Sequence, residues 1–218
     1  MATGQPADGP VTDPAYRTIA AGVEHDIEVK RSVFRCTLRP ATDEAAARAV
    51  LAAVRREHWD ARHHCSAYVL GTAPRVERSN DDGEPAGTAG APMLAALRGA
   101  DLTDVVAVVT RWFGGVLLGT GGLARAYRSA VAGAIDAADV VLRRPVRLLD
   151  VAVGHASGGA LEHALRAGPG AVRAVQHTAA GVLLSLAVPP DELDAVRALV
   201  AEHTGGTGRI TDTGTAYA

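Results

Sequence analysis

Three clusters of polar residues interrupt an otherwise aliphatic chain, and each has a spacing that admits chemistry. The first is a glycine-rich run, Gly114, Gly115, Gly119, Gly121 and Gly122, with Arg111 and Trp112 before it and Arg125 after it. Glycine lets the main chain reach positive φ and lets a ligand approach the backbone. Where a buried strand feeds such a run into a helix, free N–H groups and the helix dipole face an anion. Arg111 and Arg125 can then pair with phosphate through forked guanidinium groups. The spacing matches neither G-x-G-x-x-G nor G-x-x-x-x-G-K-[ST], so it carries no nucleotide fingerprint. Tight turns and close packing explain the glycines equally well.

The second cluster is Asp81, Asp82 and Glu84, with Gly83 and Pro85 shaping the loop and Thr88 closing it. Three carboxylates within four residues can hold a hard cation such as Mg²⁺ or supply an acid and a base. The preferred expectation is plainer: they accept hydrogen bonds from backbone N–H groups and arginines and so stiffen a long loop. The third cluster is His58, Asp60, His63, His64 and Cys65. Histidine and cysteine bind zinc, and a thiol beside a histidine can act as a nucleophile. The packing is not a zinc-ligand spacing, and adjacent His63 and His64 point apart if the segment is extended. A hydrogen-bonded polar seam leading into a strand is expected instead. No catalytic residue and no resident metal are assigned.

The whole composition narrows the setting of these clusters. The chain has 218 residues, 48% hydrophobic and 21% charged, enough for a buried core and too apolar for general disorder. Basic and acidic residues number 22 and 24, so no broad basic face for a polyanion is expected. The start, MATGQPADGPVTDPAY, contains no apolar signal core. No run approaches the roughly 18 apolar residues of a membrane span. Cys36 and Cys65 do not form a disulfide framework. A cytoplasmic protein with reduced thiols is expected.

The elements that must position the clusters follow from periodicity. Residues 1–15 read as a flexible tail. Alternation over 23–29 and 32–38 predicts two strands about a Lys30-Arg31 turn. Thr42 is placed to cap a helix running to Arg55 and Arg56. A strand over 65–70 leads into a long loop over 73–90, then a short helix over 91–99. The run VVAVVT over 105–110 predicts a strand buried on both faces. It enters the glycine run and an alanine-rich helix over 123–138. The pattern restarts near Arg144: strand, helix capped by Ser157, two strands, helix, strand. That β-α-β-β-α-β order is the ferredoxin-like split β-α-β unit. Domains are therefore expected over 16–145 and 146–218.

Three segments, EHWDARHHCSAY, SNDDGEPAGTAGAPML and TRWFGGVLLGTGGLARAY, closely resemble the IMPACT / YigZ family. The resemblance covers roughly residues 17–140, and the remainder is similar to the small C-terminal domain of bacterial members. It implies an α+β protein: a ribosomal-protein-S5-domain-2-like first domain and a ferredoxin-like second domain similar to those of elongation factor G. Eukaryotic relatives restrain activation of a stress kinase that acts on an initiation factor, using an additional RWD domain. About 16 residues precede the matching region here, so that kinase-pathway role is not expected. Trp112 and Phe113 stand where the family usually has tyrosine, which keeps the aromatic character and loses the hydroxyls.

Both implied folds recur in translation factors and ribosomal proteins, which points to RNA or ribosome contact at the level of fold analogy. The expectation is a non-enzymatic, translation-associated regulator with a groove between the DDGEPAGT and GGVLLGTGG loops. Arg111 and Arg125 would engage phosphate, the glycine N–H groups would position it, and Trp112 would stack. Asp81, Asp82 and Glu84 would shape the groove by holding arginines or Mg²⁺, with Thr88, His63 and His64 among the ligand-binding residues. One alternative is a metal-assisted enzyme acting on a small phosphorylated or peptide substrate, with His58, His63 or His64 moving protons. Another is a protein-interaction module that docks a partner through its second domain.

Overall fold

The computed structural model describes residues 14–218. The expected tail over 1–15 falls almost wholly outside them. The described chain divides into two compact units, Tyr16–Leu142 and Arg143–Ala218.

The first unit opens with β1 (Tyr16–Ile19), β2 (Val23–Val29) and β3 (Ser32–Pro40). Lys30 and Arg31 join β2 to β3 with φ of 48° and 65°. Two consecutive left-handed residues make the hairpin turn whose twist suits antiparallel strands. There follow α1 (Glu44–Glu57), β4 (His63–Leu70), β5 (Val76–Asn80), α2 (Gly90–Gly99), β6 (Val105–Trp112), α3 (Thr120–Asp136) and β7 (Val140–Arg143). Five strands form one antiparallel sheet in the order β2-β3-β6-β4-β5, and β1 pairs separately with β7.

The central strand β6 is buried from Val105 to Arg111, as its unbroken apolar run requires. Its side chains alternate between two cores. Val105, Ala107 and Val109 pack with Phe34, Cys65 and the inner faces of α2 and α3. Val106 and Val108 pack with Ala47 and Val54 of α1. Each residue of β6, and of the β3 and β4 residues opposite it, is thereby assigned to one side of the sheet.

The second unit contains β8 (Pro145–Val153), α4 (His155–Ala167), β9 (Ala171–Thr178), β10 (Gly181–Val188), α5 (Leu193–Thr204) and β11 (Arg209–Tyr217). Its antiparallel sheet runs β11-β8-β10-β9. Leu149, Val151, Leu184 and Leu186 face Leu161, Leu165, Val196 and Val200 of the two helices. The opposite sheet face carries shorter or polar groups, including a Ser185 hydroxyl that donates to Asp150 at 2.7 Å.

Several local expectations need correction. The span 73–90 is not one structureless loop, because β5 pairs with β4 inside it. β5 reads VERSN and has no apolar alternation; backbone pairing and ion pairs from Glu77 to Arg75 and Arg98 support it. Such a short, charged edge strand leaves little hydrophobic signal. Strands β1 and β7 were not expected at all. α4 starts at His155 behind Gly154, with no side-chain cap, so Ser157 lies inside its first turn. α1 is capped by Asp43 and not by Thr42: the Asp43 carboxylate accepts from the Ala46 N–H at 2.7 Å.

The capping assignment has a direct check. In urea denaturation, Asp43→Ala should lose about 1 kcal/mol of stability. Thr42→Ala, at an exposed position, should stay within about 0.5 kcal/mol of the parent.

Candidate functional site

The DDGEPAGT loop spends its three carboxylates in three directions. Asp81 turns back onto the start of α2, where its oxygens accept from the N–H groups of Gly87, Ala89 and Gly90 at 2.8–3.0 Å. Burial raises its pKa, but those three N–H groups outweigh it and hold the carboxyl below the ordinary carboxylate value. Asp82 accepts from the His64 N–H at 2.7 Å and from Arg55. Its own N–H donates to Asn80 Oδ1, and its φ is 44°. Glu84 points inward, where Oε1 accepts from Arg111 Nη1 and from the Tyr127 hydroxyl, both at 2.7 Å. Thr88 donates to the Pro85 carbonyl and is buried. No group of three His, Cys, Asp or Glu residues among the described ones is arranged to hold a metal ion.

The end of β6 makes the other wall. Arg111 is 7% exposed and lies opposite Phe34 on β3 and His63 on β4. Its guanidinium carbon is 5.4 Å from the Phe34 ring centre and 5.6 Å from that of Phe113. The Phe34 ring meets Tyr127 edge-on at 5.2 Å. Arg111 Nε is buried without an acceptor among the described residues. After the strand, Gly114 passes so close to the hairpin turn that a Cβ would overlap the Arg31 carbonyl carbon. Gly115 and Gly119 adopt φ of 85° and 71°, which re-aims the chain into α3. Gly119 caps that helix without a side-chain acceptor.

At the end of β6 lies a cleft of about 210 Å³ lined by Arg62, His63, Arg111, Phe113 and Leu117. Asp81, Asp82, Glu84 and Thr88 do not line it, so it is not the expected groove between the DDGEPAGT and GGVLLGTGG loops: the three carboxylates are turned to backbone N–H groups, Arg55, Arg111 and Tyr127 instead. Phe113 is 52% and Leu117 82% exposed, so an apolar rim faces solvent. Arg62 is exposed and has no ion pair among the described residues. His63 Nδ1 lies 2.9 Å from the Asp82 carbonyl oxygen. Two hollows of about 350 Å³ lie on the second unit, but each is lined by one arginine and by no histidine or aromatic ring. Among the described residues, cations, an imidazole and an exposed aromatic converge in the smaller cleft.

The sheet separates residues that the sequence puts side by side. His63 lies with Arg111, whereas His64 is buried on the α1 side with Nε2 3.0 Å from the His58 carbonyl oxygen. Burial lowers the His64 pKa. Trp112 likewise turns away from Arg111: its indole N–H donates to Asp60 at 2.9 Å and its ring meets His58 at 5.3 Å. The expected stacking face of Trp112 is therefore not in the cleft, and Phe113 is the aromatic side chain that lines it. Arg125 is exposed, and a Cβ at Gly121 would lie 3.5 Å from its Nη1, so its guanidinium folds back over the first turn of α3. Cys65 is buried and donates to the Asp81 carbonyl at 3.0 Å; burial pushes its thiol up to about 12, far from a reactive thiolate. Arg62, Phe113 and Leu117 were not among the expected ligand-binding residues. Arg62 precedes the strand at a bend, and nothing in the apolar side chain of Leu117 marks it for a site until its exposure is seen.

The fold and the cleft define a class: a two-unit α+β protein with a recess at the junction of a buried strand, a glycine loop and a helix. Comparison with known proteins places it more narrowly. The Impact N-terminal domain family model matches residues 30–135. The chain is 36% identical to the IMPACT family member YvyE of Bacillus subtilis over 90% of both chains. It is 50% identical to the IMPACT family member YigZ of Escherichia coli over 48% of this chain and 52% of that protein. A match to Protein IMPACT of Bos taurus, 33% identical, covers 44% of this chain and 32% of that one. A solved structure described as a crystal structure of a hypothetical protein superposes with a TM-score of 0.68 at 35% identity, over 90% of this chain and 96% of that one. The chain belongs to the IMPACT family.

Two measurements probe the scaffold of the site. Glu84→Gln removes the counter-charge of a buried arginine and should cost about 3–5 kcal/mol in urea denaturation, against about 1 kcal/mol for Tyr127→Phe. Asp81 has a depressed folded-state pKa, so its contribution is complete above the ordinary carboxylate value near 4 and is lost as pH falls through the lower folded value. Asp81→Asn should therefore be less stable at neutral pH. Its stability should also fall less steeply than the parent's on acidification below about pH 4.

Proposed function

We propose that the protein is a non-enzymatic, translation-associated regulator that binds single-stranded RNA, in the setting of the ribosome, through the cleft beside Phe113. The observation that carries this reading is the juxtaposition of an unpaired cation, Arg62, with an exposed aromatic ring on a rigid strand end. Aromatic faces hold bases and arginines hold phosphates, and neither needs a duplex groove. The small volume of the cleft favours one splayed nucleotide over a helix. Family membership supports a shared role with the eukaryotic IMPACT proteins at the coarse level of translation control.

In this reading the first unit is S5-domain-2-like and the second ferredoxin-like, as the strand order β11-β8-β10-β9 favours. Such folds suit contact with ribosomal RNA by analogy. Arg111 contributes indirectly: Glu84 cancels its charge, and it braces the Phe113 ring. Phosphate contacts fall to Arg62 and Arg125. With a formal net charge of −2, affinity must come from local contacts. The protein acts in the cytoplasm, and the open sheet face of the second unit is available to a protein partner.

Co-sedimentation with ribosomes and separated subunits tests the reading. The parent should pellet with one subunit at low and moderate salt, and Arg62→Ala combined with Phe113→Ala should stay in the supernatant while melting normally. With two phosphates neutralised, log affinity for a single-stranded RNA should fall against log salt with a slope of about −1.4. Absence of pelleting with every subunit, together with no binding to free RNA, would overturn it.

A further inference from the structure

This inference rests on the RNA reading above and concerns what the cleft selects. Of the five side chains that line it, Phe113 and Leu117 have no hydrogen-bonding group, and Arg62 and Arg111 only donate. His63 differs. Its Nδ1 faces the Asp82 carbonyl oxygen at 2.9 Å, and a carbonyl oxygen can only accept. Nδ1 therefore carries a proton, and in the neutral form of the ring Nε2 is then the lone-pair acceptor. Nε2 has no partner among the described residues.

The tautomer is set by backbone that is itself held. The Asp82 carboxylate takes the His64 N–H and Arg55, and the Asp82 N–H is taken by Asn80. His63 is fixed from the strand side too, directly opposite Arg111. A cleft otherwise suited to any anion thus contains one acceptor in a defined orientation. The ligand group that meets it must be a donor.

A DNA backbone offers acceptors only. RNA adds one donor per nucleotide, the 2′-hydroxyl, beside the 3′-phosphate on the same ribose. Arg62 and His63 are neighbours in the chain and line the same cleft, so they present a cation and an acceptor side by side. That pair matches a phosphate and its adjacent hydroxyl. Base N–H donors sit at the far edge of the base, away from the phosphate, while the base face is what Phe113 and Leu117 can meet. We propose that His63 Nε2 accepts a hydrogen bond from the 2′-hydroxyl of a bound nucleotide whose phosphate meets Arg62, which makes the cleft selective for single-stranded RNA over single-stranded DNA.

Fluorescence anisotropy with the full chain tests this. The probes are one short mixed-sequence single-stranded oligonucleotide in three forms: RNA, its deoxyuridine-containing 2′-deoxy counterpart, and its 2′-O-methyl counterpart, which lacks the donor. One net hydrogen bond predicts that RNA binds about fivefold to tenfold more tightly than either of the others. His63→Leu, with folding checked by its melting curve, should abolish the difference, so that RNA and DNA bind with equal affinity. If that variant fails to fold, the three probes on the parent decide alone. Equal affinity of the parent for RNA and DNA would overturn the inference while leaving nucleic-acid binding intact, even if a base-sequence preference remained. A preference for RNA retained in folded His63→Leu would overturn the role of His63. Failure to bind all three probes would remove the RNA reading itself.

Discussion

The Glu84 carboxylate, buried between Arg111 and Tyr127, ties together three segments far apart in the chain. Its loop carries the other two acidic residues, Arg111 ends the central strand, and Tyr127 lies on α3. Burying such a pair gains little over an apolar contact, but removing one partner strands a charge in the core. The arrangement is therefore self-enforcing: once Arg111 is inside, Glu84 must follow. The loop between β5 and α2 is drawn in with it. Burial raises the Tyr127 pKa, which keeps its hydroxyl a donor to that carboxylate.

That pairing decides the electrostatics of the cleft. Arg111 lines it without adding net charge, because Glu84 neutralises it at 2.7 Å. The uncompensated cation is Arg62, outside the strand. Under the proposed RNA reading, one local cation in a protein whose overall charge is near zero limits how much of the affinity salt can remove. The glycines serve the same end from the other side. Gly114 lets the chain pass against the β2–β3 turn, so Phe113 is presented at the rim.

The carboxylate loop shows one physical constraint solved three ways. Asp81 satisfies the orphan N–H groups of a helix start, Asp82 ties β4 and α1, and Glu84 neutralises a buried cation. Each role consumes lone pairs that a cation would need. The same loop nonetheless bears on the cleft, since the Asp82 carbonyl engages Nδ1 of His63 and leaves Nε2 without a partner among the described residues.

Much of this was readable in advance. The alternation around Lys30-Arg31, the β-branched run of β6, the glycine run and the helical faces are local periodicities, and local sterics and amphipathicity determine them. The three motif stretches identified the family for the same reason: they are contiguous. What the sequence could not show was the choice among partners. It placed His63 beside His64 and Arg111 beside Trp112, while the pleat sends each pair to opposite faces of the sheet. It showed carboxylates and arginines without saying that Glu84 would claim Arg111 and that Arg62 would have no ion pair among the described residues. β5, with no apolar alternation, exists through its pairing to β4. Periodicity acts over a few residues, whereas the Glu84–Arg111 ion pair and the His63 ring contact depend on groups 27 and 19 positions apart, and only the folded chain brings them within reach.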